Sequence, residues 1–334
     1  MLEVLAVIIV SFTFTLYFTP KWIKKAKEFG LTGKDMNKFD KPDVSEAGGI
    51  IVILGLLSGV LFYIFLETFF LKTGAQTALI FAALLTVLLA GFLGFIDDVL
   101  GWKKGLSRWQ KPLLTVPMAI PLMVINAGES AMSVPLFGLV DFGIVYPLII
   151  IPLGIVGAAN GFNMLAGFNG LEAGMGAIAL GTLGTISLLK GEVWLAAIAF
   201  AAVASLAAFL VFNWNPAKIF PGDSLTYGIG AMIAVIAILG NMEKIGLILF
   251  IPFIIDAFLS LWPELRGHKK VEAFGRVNRD NSLEMPYDRI LSFEHFGIFA
   301  LKKIKQKVFE RDVTLFFLAI EAVLSAAVFL FFLS

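Results

Sequence analysis

The chain contains no cysteine and only two histidines, His268 and His295, in 334 residues. The first absence excludes disulfides, thiolate nucleophiles and cysteine-ligated metals; the second leaves too few imidazoles for a histidine-based metal site. Charge is scarce too: charged residues make up 15% of the chain and hydrophobic residues 59%, at a mean hydropathy of +0.90. Since a soluble domain carries roughly 25% charged residues, this composition requires an integral membrane protein with several spans. A net charge of +1 gives no reason to expect a nucleic-acid partner. Any metal must sit on oxygen ligands, which favours Mg2+, with Mn2+ second. Phe (33) and Gly (32) are abundant, as suits helices packed closely in lipid.

A membrane span needs about 20 mainly apolar residues. Ten stretches qualify: 2–20, 47–71, 76–96, 112–127, 143–159, 171–189, 192–212, 222–240, 245–263 and 313–333. The first lacks a small-residue cleavage site and runs into lysines, so it reads as a retained span. The predicted fold is an all-α polytopic membrane protein of about ten transmembrane helices, forming a single domain over 1–334. Of the 26 lysines and arginines, 23 fall in the loops 21–46, 97–111, 160–170, 213–221 and 264–312, and the other three are Lys72, Lys190 and Lys244. By the positive-inside rule the first group of loops is cytoplasmic and both termini lie outside. The expected location is the plasma membrane, with every unusual polar motif on the cytoplasmic face.

Asp97-Asp98 closes the third apolar run and is followed by Lys103, Lys104, Arg108 and Lys111. Charge near the hydrocarbon core costs about 2.5–3.5 kcal/mol per residue at a helix centre, so it is retained mainly for function or at the interface. One reading gives this pair a metal or a substrate phosphate; the other pairs it with the neighbouring lysines. Lys111 can reach phosphate as a point charge or simply snorkel to the interface. The second motif, Asn160 to Gly174, joins two spans through a loop rich in Gly and Asn, whose glycines admit a ligand to the backbone and whose amides accept hydrogen bonds or a cation. The third, Asn213 to Ser224, ends in Gly222-Asp223-Ser224 at the head of an apolar helix. Asp223 alone reads best as an N-cap; with Asn163 and the aspartate pair it completes an oxygen-only Mg2+ site. The fourth, the cytoplasmic loop over 266–312, carries Arg266, His268, Lys269, Lys270, Arg276, Asn278, Arg279 and Asp280, in which arginine suits bidentate phosphate contact. Within it, 284–310 reads as an amphipathic segment in the membrane interface or as an exposed helix.

The order of these motifs resembles the polyprenyl-phosphate N-acetylhexosamine-1-phosphate transferases, a superfamily that includes bacterial phospho-MurNAc-pentapeptide translocase and eukaryotic UDP-GlcNAc:dolichyl-phosphate GlcNAc-1-phosphotransferase. The resemblance runs from Asp40-Lys41-Pro42 and Glu46-Ala47-Gly48-Gly49 to Arg279. Its Asn163–Gly174 segment is closer to the dolichol branch, and an archaeal member is expected. The resemblance implies that Asn163 and Asp223 hold Mg2+. It implies that Gly167 and Asn169 form a uridine pocket walled by Phe220. It makes Lys111, Arg276 and Arg279 pyrophosphate contacts, and Asp97 and Asp98 the essential acidic pair. Two departures stand out. The stretch Gly275 to Asp280 has no histidine where relatives often carry one, and Asn169 replaces a bacterial aspartate, so it cannot act as acid or base.

The expected reaction is transfer of N-acetylhexosamine-1-phosphate, foremost GlcNAc-1-phosphate, from a UDP-sugar to a polyprenyl or dolichyl phosphate. A UDP-N-acetylhexosamine and a lipid phosphate are therefore the expected partners, and a homodimer remains open. One rival is a related transferase using a different UDP-sugar with undecaprenyl phosphate. Another is a secondary transporter or lipid flippase, which calls for ionisable residues at mid-span; Asp256 is the main such residue in the sequence.

Overall fold

The computed structural model describes residues 1–72, 74, 76–104, 113, 115–134, 138–266 and 271–333. In chain order its helices are α1 (Leu2–Glu28), α2 (Gly49–Leu66), α3 (Thr77–Lys104), α4 (Ile120–Val124), α5 (Ile151–Met164), α6 (Leu171–Leu189), α7 (Val193–Asn213), α8 (Gly222–Leu239), α9 (Glu243–Leu249), α10 (Ile251–Leu265), α11 (Phe293–Lys302) and α12 (Glu310–Leu333). Three two-stranded antiparallel hairpins interrupt them: β1 (Thr32–Lys34) with β2 (Asp43–Ser45), β3 (Ala131–Val134) with β4 (Gly138–Asp141), and β5 (Arg276–Val277) with β6 (Leu283–Glu284). Among the described residues, eight helical stretches are long and apolar enough to cross a membrane, or nine if α9 and α10, bent by 58° at their junction, make one span. The protein is an all-α polytopic membrane protein.

The fourth expected span, 112–127, begins outside the described residues. Its described part is a 3-10 turn, Val116–Ala119, running into the five-residue α4. Pro117 and Pro121 each remove a backbone donor from what would be a continuous helix. The chain still traverses the bundle here. The Asn160 amide donates to Thr115 Oγ1 (3.0 Å) near the C-terminal end of α5, while Glu129 accepts from Asn241 (3.0 Å) just past the C-terminus of α8. Asp98 meets the N-terminus of that same α8, so residues 98 and 129 lie at opposite ends of the bundle.

α8 is the central helix. It packs against α2, α3, α5 and α6, and from Ser224 to Ile238 every side chain is buried. Closeness on the α3 side depends on Gly94, where an added Cβ would stand 2.2 Å from the carbonyl oxygen of Asp223. α1 and α12 lie at the periphery and leave Leu5, Ile9, Val323 and Leu330 exposed, as lipid-facing helices should. One apolar core runs through the bundle from Val4 to Val328. Among the described residues, buried carboxylates within apolar helices include Asp256 on α10, as expected, and Glu321 midway along α12, while Glu172 and Glu310 are buried in the first turns of α6 and α12.

Candidate functional site

The expected site residues with described positions come from one end of the bundle. Asp98, in the last turns of α3, accepts hydrogen bonds through both carboxylate oxygens, from the backbone N–H of Asp223 (2.6 Å) and of Ser224 (3.1 Å). It satisfies two of the donors that a helix leaves unpaired at its N-terminus, from a different helix than the one it caps. Gly222 makes this approach possible: its φ is +70°, and a Cβ there would stand 2.5 Å from Asp98 Oδ2. Asp223 therefore sits in the first turn of α8 with its backbone held and its side chain at the positive end of the helix dipole. Asp97 precedes Asp98 and is half-buried.

Asn163, near the C-terminus of α5, meets the same turn. Thr226 Oγ1 lies 2.9 Å from Asn163 Oδ1 and 3.3 Å from the Asp223 carbonyl oxygen. The fold thus brings Asn163 and Asp223, 60 residues apart in the chain, to either side of one threonine. Their donors are an amide and a carboxylate oxygen, and no three His, Cys, Asp or Glu side chains among the described residues gather to hold a metal alone. Such a pair suits a cation that takes its other ligands from phosphate and water, as Mg2+ does.

Gly167 and Asn169 sit in a second polar cluster, while Phe220 is held apart from it by the chain leading into α2. The Gly167 N–H donates to Glu172 (2.8 Å) and its carbonyl accepts from Asn37 (2.9 Å); the ring of Phe274 covers it. Asn169 is buried. Its N–H donates to Glu310 Oε1 (2.8 Å), its carbonyl accepts from Thr314 (3.1 Å), and its side-chain amide donates to Asp35 (3.0 Å) and Glu310 Oε2 (3.3 Å). Phe220 is tied through its backbone, donating to Ser45 (2.7 Å) and accepting from Gly48 (3.0 Å). Sequence reasoning missed Asp35, Asn37, Lys38, Thr226, Thr314 and Glu310. The one local signal was Asp35-Met36-Asn37, whose Asn37 N–H turns back onto Asp35 Oδ1 (3.2 Å).

Arg276 and Arg279 are exposed on and beside the β5–β6 hairpin. The hairpin docks on the site end: the Phe39 N–H donates to Asn281 Oδ1 (2.8 Å), and the Leu283 N–H to the Val308 carbonyl (2.7 Å). Lys307 holds Asp280 at 2.7 Å and keeps its carboxyl below the usual range, as Lys302 does for Glu284. Segment 284–310 resolves into an extended stretch followed by α11, capped by Ser292, with Glu294 and His295 buried. Burial pushes His295 down to about 4 and raises Glu294, which also faces the Asp256 carboxylate. Lys111, Arg108, His268, Lys269 and Lys270 lie outside the described residues.

A polytopic bundle that gathers carboxylates, asparagines and exposed arginines at one end is a membrane protein built to handle a charged group at the bilayer surface. Glycosyl transferase family 4 matches residues 80–241, the stretch from α3 through α8 that carries Asp97, Asp98, Asn163 and Asp223. A Saccharolobus solfataricus protein provisionally named UDP-N-acetylglucosamine–dolichyl-phosphate N-acetylglucosaminephosphotransferase is 39% identical over 284 residues, covering 84% of this chain and 85% of its own. A Sulfolobus acidocaldarius protein of the same name is 37% identical, over 89% and 91%. The phospho-N-acetylmuramoyl-pentapeptide-transferase of Halalkalibacterium halodurans is 34% identical, over 75% and 79%. The chain belongs to glycosyl transferase family 4, and it is a transferase of the membrane.

Proposed function

We propose that the protein transfers N-acetylglucosamine-1-phosphate from UDP-N-acetylglucosamine to a dolichyl-type polyprenyl phosphate, at the cytoplasmic face of the plasma membrane. The observation that carries this reading is the first turn of α8: Asp98 caps it from α3, Asp223 projects from it, and Asn163 meets it across Thr226. The names of the Saccharolobus and Sulfolobus relatives support the donor and acceptor. The concentration of lysine and arginine in the loops at this end supports the orientation.

In this reading an oxygen of the lipid phosphate attacks the β-phosphorus of the UDP-sugar. The new P–O bond joins lipid phosphate to sugar phosphate, the bond from the β-phosphorus to the bridging oxygen breaks, and UMP leaves with its electron pair. A phosphate monoester with a second pKa near 6 is largely ionised at neutral pH, so the acceptor needs little help from a base, and Asp97 orients it. Asp98 keeps the first turn of α8 fixed by accepting from two of its amides, and so sets where the Asp223 carboxylate stands. Asp223 and Asn163 would hold Mg2+, which when bound supplies neutralisation of pyrophosphate charge. Lys111, Arg276 and Arg279 add positive charge along the donor, and positioning plus charge neutralisation supply most of the rate. The lipid tail stays in the bilayer beside α10, whose Ile254, Phe258 and Trp262 are exposed beyond the 58° bend.

The test is turnover by detergent-solubilised protein given tritiated UDP-N-acetylglucosamine, dolichyl phosphate and Mg2+. Organic-extractable label that EDTA abolishes and Mg2+ restores is expected, and Asp223→Ala removes it. No labelled lipid from folded protein with any UDP-sugar overturns the proposal.

A further inference from the structure

We infer that Glu310, the first residue of α12, is a positioning residue for the donor nucleotide, acting through Asn169. This rests on the reading of this end of the bundle as a nucleotide-sugar site. Glu310 is 2% exposed, and its two oxygens collect donors from three separate loops. From the β1–β2 loop come Asn37 Nδ2 (3.5 Å) and the Lys38 ammonium. From the α5–α6 loop come the N–H (2.8 Å) and Nδ2 (3.3 Å) of Asn169. From the α7–α8 loop comes Asn215 Nδ2 (2.6 Å). A carboxylate has about four lone-pair sites, so five donors saturate it. It has no capacity left for a ligand of its own, and its part is to hold others.

What it holds most completely is Asn169. The N–H of that residue, its carbonyl and its Nδ2 are all engaged, by Glu310, Thr314 and Asp35. Two carboxylates converge on Nδ2, which fixes which end of the side-chain amide is the NH2 group. Oδ1 is thereby turned away from them and has no protein partner among the described residues. An asparagine whose flip is decided in this way presents an acceptor to a donor hydrogen on the nucleotide half of the substrate. The neighbouring backbone is held as well, since Gly167 is bonded at its N–H by Glu172 and at its carbonyl by Asn37. Glu310 thus ties the Gly167–Gly170 turn to α12 and to the loop that precedes α8, where the reacting phosphates are placed.

Three variants test this: Glu310→Gln, Thr314→Val and, as a control on α12, Glu321→Gln, which changes a buried carboxyl that has no hydrogen-bond partner among the described residues. Each is checked for folding by gel filtration and thermal melting. Initial rates are then measured against UDP-sugar and against lipid phosphate, alongside UDP binding by calorimetry. Glu310→Gln is expected to raise KM for the UDP-sugar and Kd for UDP about tenfold, with kcat and the KM for lipid phosphate within about twofold. Thr314→Val should raise the same two constants about threefold, and Glu321→Gln should leave them unchanged. If Glu310→Gln does not fold, Thr314→Val decides. Unchanged donor constants in the folded variants, or an equal loss in kcat and both KM values, overturn the inference while wild-type turnover leaves the proposed function standing. Wild-type protein that neither binds UDP nor releases UMP overturns the proposed function and the inference with it.

Discussion

Asp98 and Thr226 carry opposite burdens at the first turn of α8. Asp98 holds the backbone, so its loss should be felt in stability and rate together. Asp98→Ala removes two capping hydrogen bonds, worth about 1–2 kcal/mol between them, and should lower Tm by several degrees as well as kcat by about a hundredfold or more. Asp98→Asn retains one acceptor and should fall between the two; thermal melts and initial rates on the same preparations check this. Equal stability of Asp98→Ala and wild type would contradict the capping role. Thr226 instead orients the Asn163 amide. Thr226→Val should leave Tm almost unchanged and raise the Mg2+ concentration for half-maximal rate about fivefold, the size of one lost hydrogen bond, read from a Mg2+ titration of rate.

At this scale the sequence told two kinds of residue apart. Asp97, Asp98, Asn163 and Asp223 were legible because each stands at the end of a long apolar run, where charge and amides are costly. Asp35, Asn37, Lys38 and Glu310 were not: each looks like an ordinary loop or helix-end residue, and its partner is more than a hundred residues away, as with Asn169 and Glu310. The two readings of Asp223, N-cap or metal ligand, meet in an arrangement that neither foresaw. Its helix is capped by Asp98 instead, which leaves the Asp223 carboxylate out of the capping.

Among elements, the crossing of α3 and α8 decides the site. Gly94 lets the two backbones touch, with no room for a Cβ beside the Asp223 carbonyl. Gly94→Ala should therefore push α3 outward, lower Tm and lose most of the activity although the residue bears no functional group; full activity with unchanged Tm would show the crossing to be looser than described. α11 gives a pH signature. His295 is held neutral by burial, at about 4 against an ordinary 6.5. Between those values the unfolded chain binds the proton and the folded one does not, so the folded state loses stability as pH falls from 6.5 toward 4. Glu294 works in the opposite sense, losing stability as pH rises through the carboxylate range. Because the two groups oppose each other, the His295 contribution is read as a difference: across pH 5 to 7, the Tm of wild type minus that of His295→Phe should fall on acidification. The element pattern was legible wherever apolar runs were unbroken. It blurred at 112–127, where Pro117 and Pro121 replace a helix by short turns, and at 245–263, where one run folds as two bent helices.

For the whole molecule, the lack of cysteine makes orientation directly measurable. Lys34 is exposed at the site end, and Lys244 lies at the other end, one residue after Glu243, which accepts from Tyr146. A single cysteine at Lys34 should react with a membrane-impermeant maleimide only in inside-out vesicles, and one at Lys244 only in right-side-out vesicles. The reverse pattern would place the site outside the cell and remove it from a cytoplasmic nucleotide. The expected orientation rests on charge asymmetry, 23 of 26 basic residues falling in the loops assigned to one side, whereas the joining of three distant loops on one glutamate left no trace in the sequence.

The central claim is that the bond broken lies between the two phosphates of the donor, and not between sugar and phosphate. It is tested by supplying UDP-N-acetylglucosamine labelled with 32P at the β-phosphate, together with dolichyl phosphate and Mg2+, and by following where the label goes. Appearance of 32P in the organic phase, in step with one UMP released per labelled lipid, is the predicted result. Label that remains in the aqueous phase as UDP while the sugar moves to lipid would contradict the account.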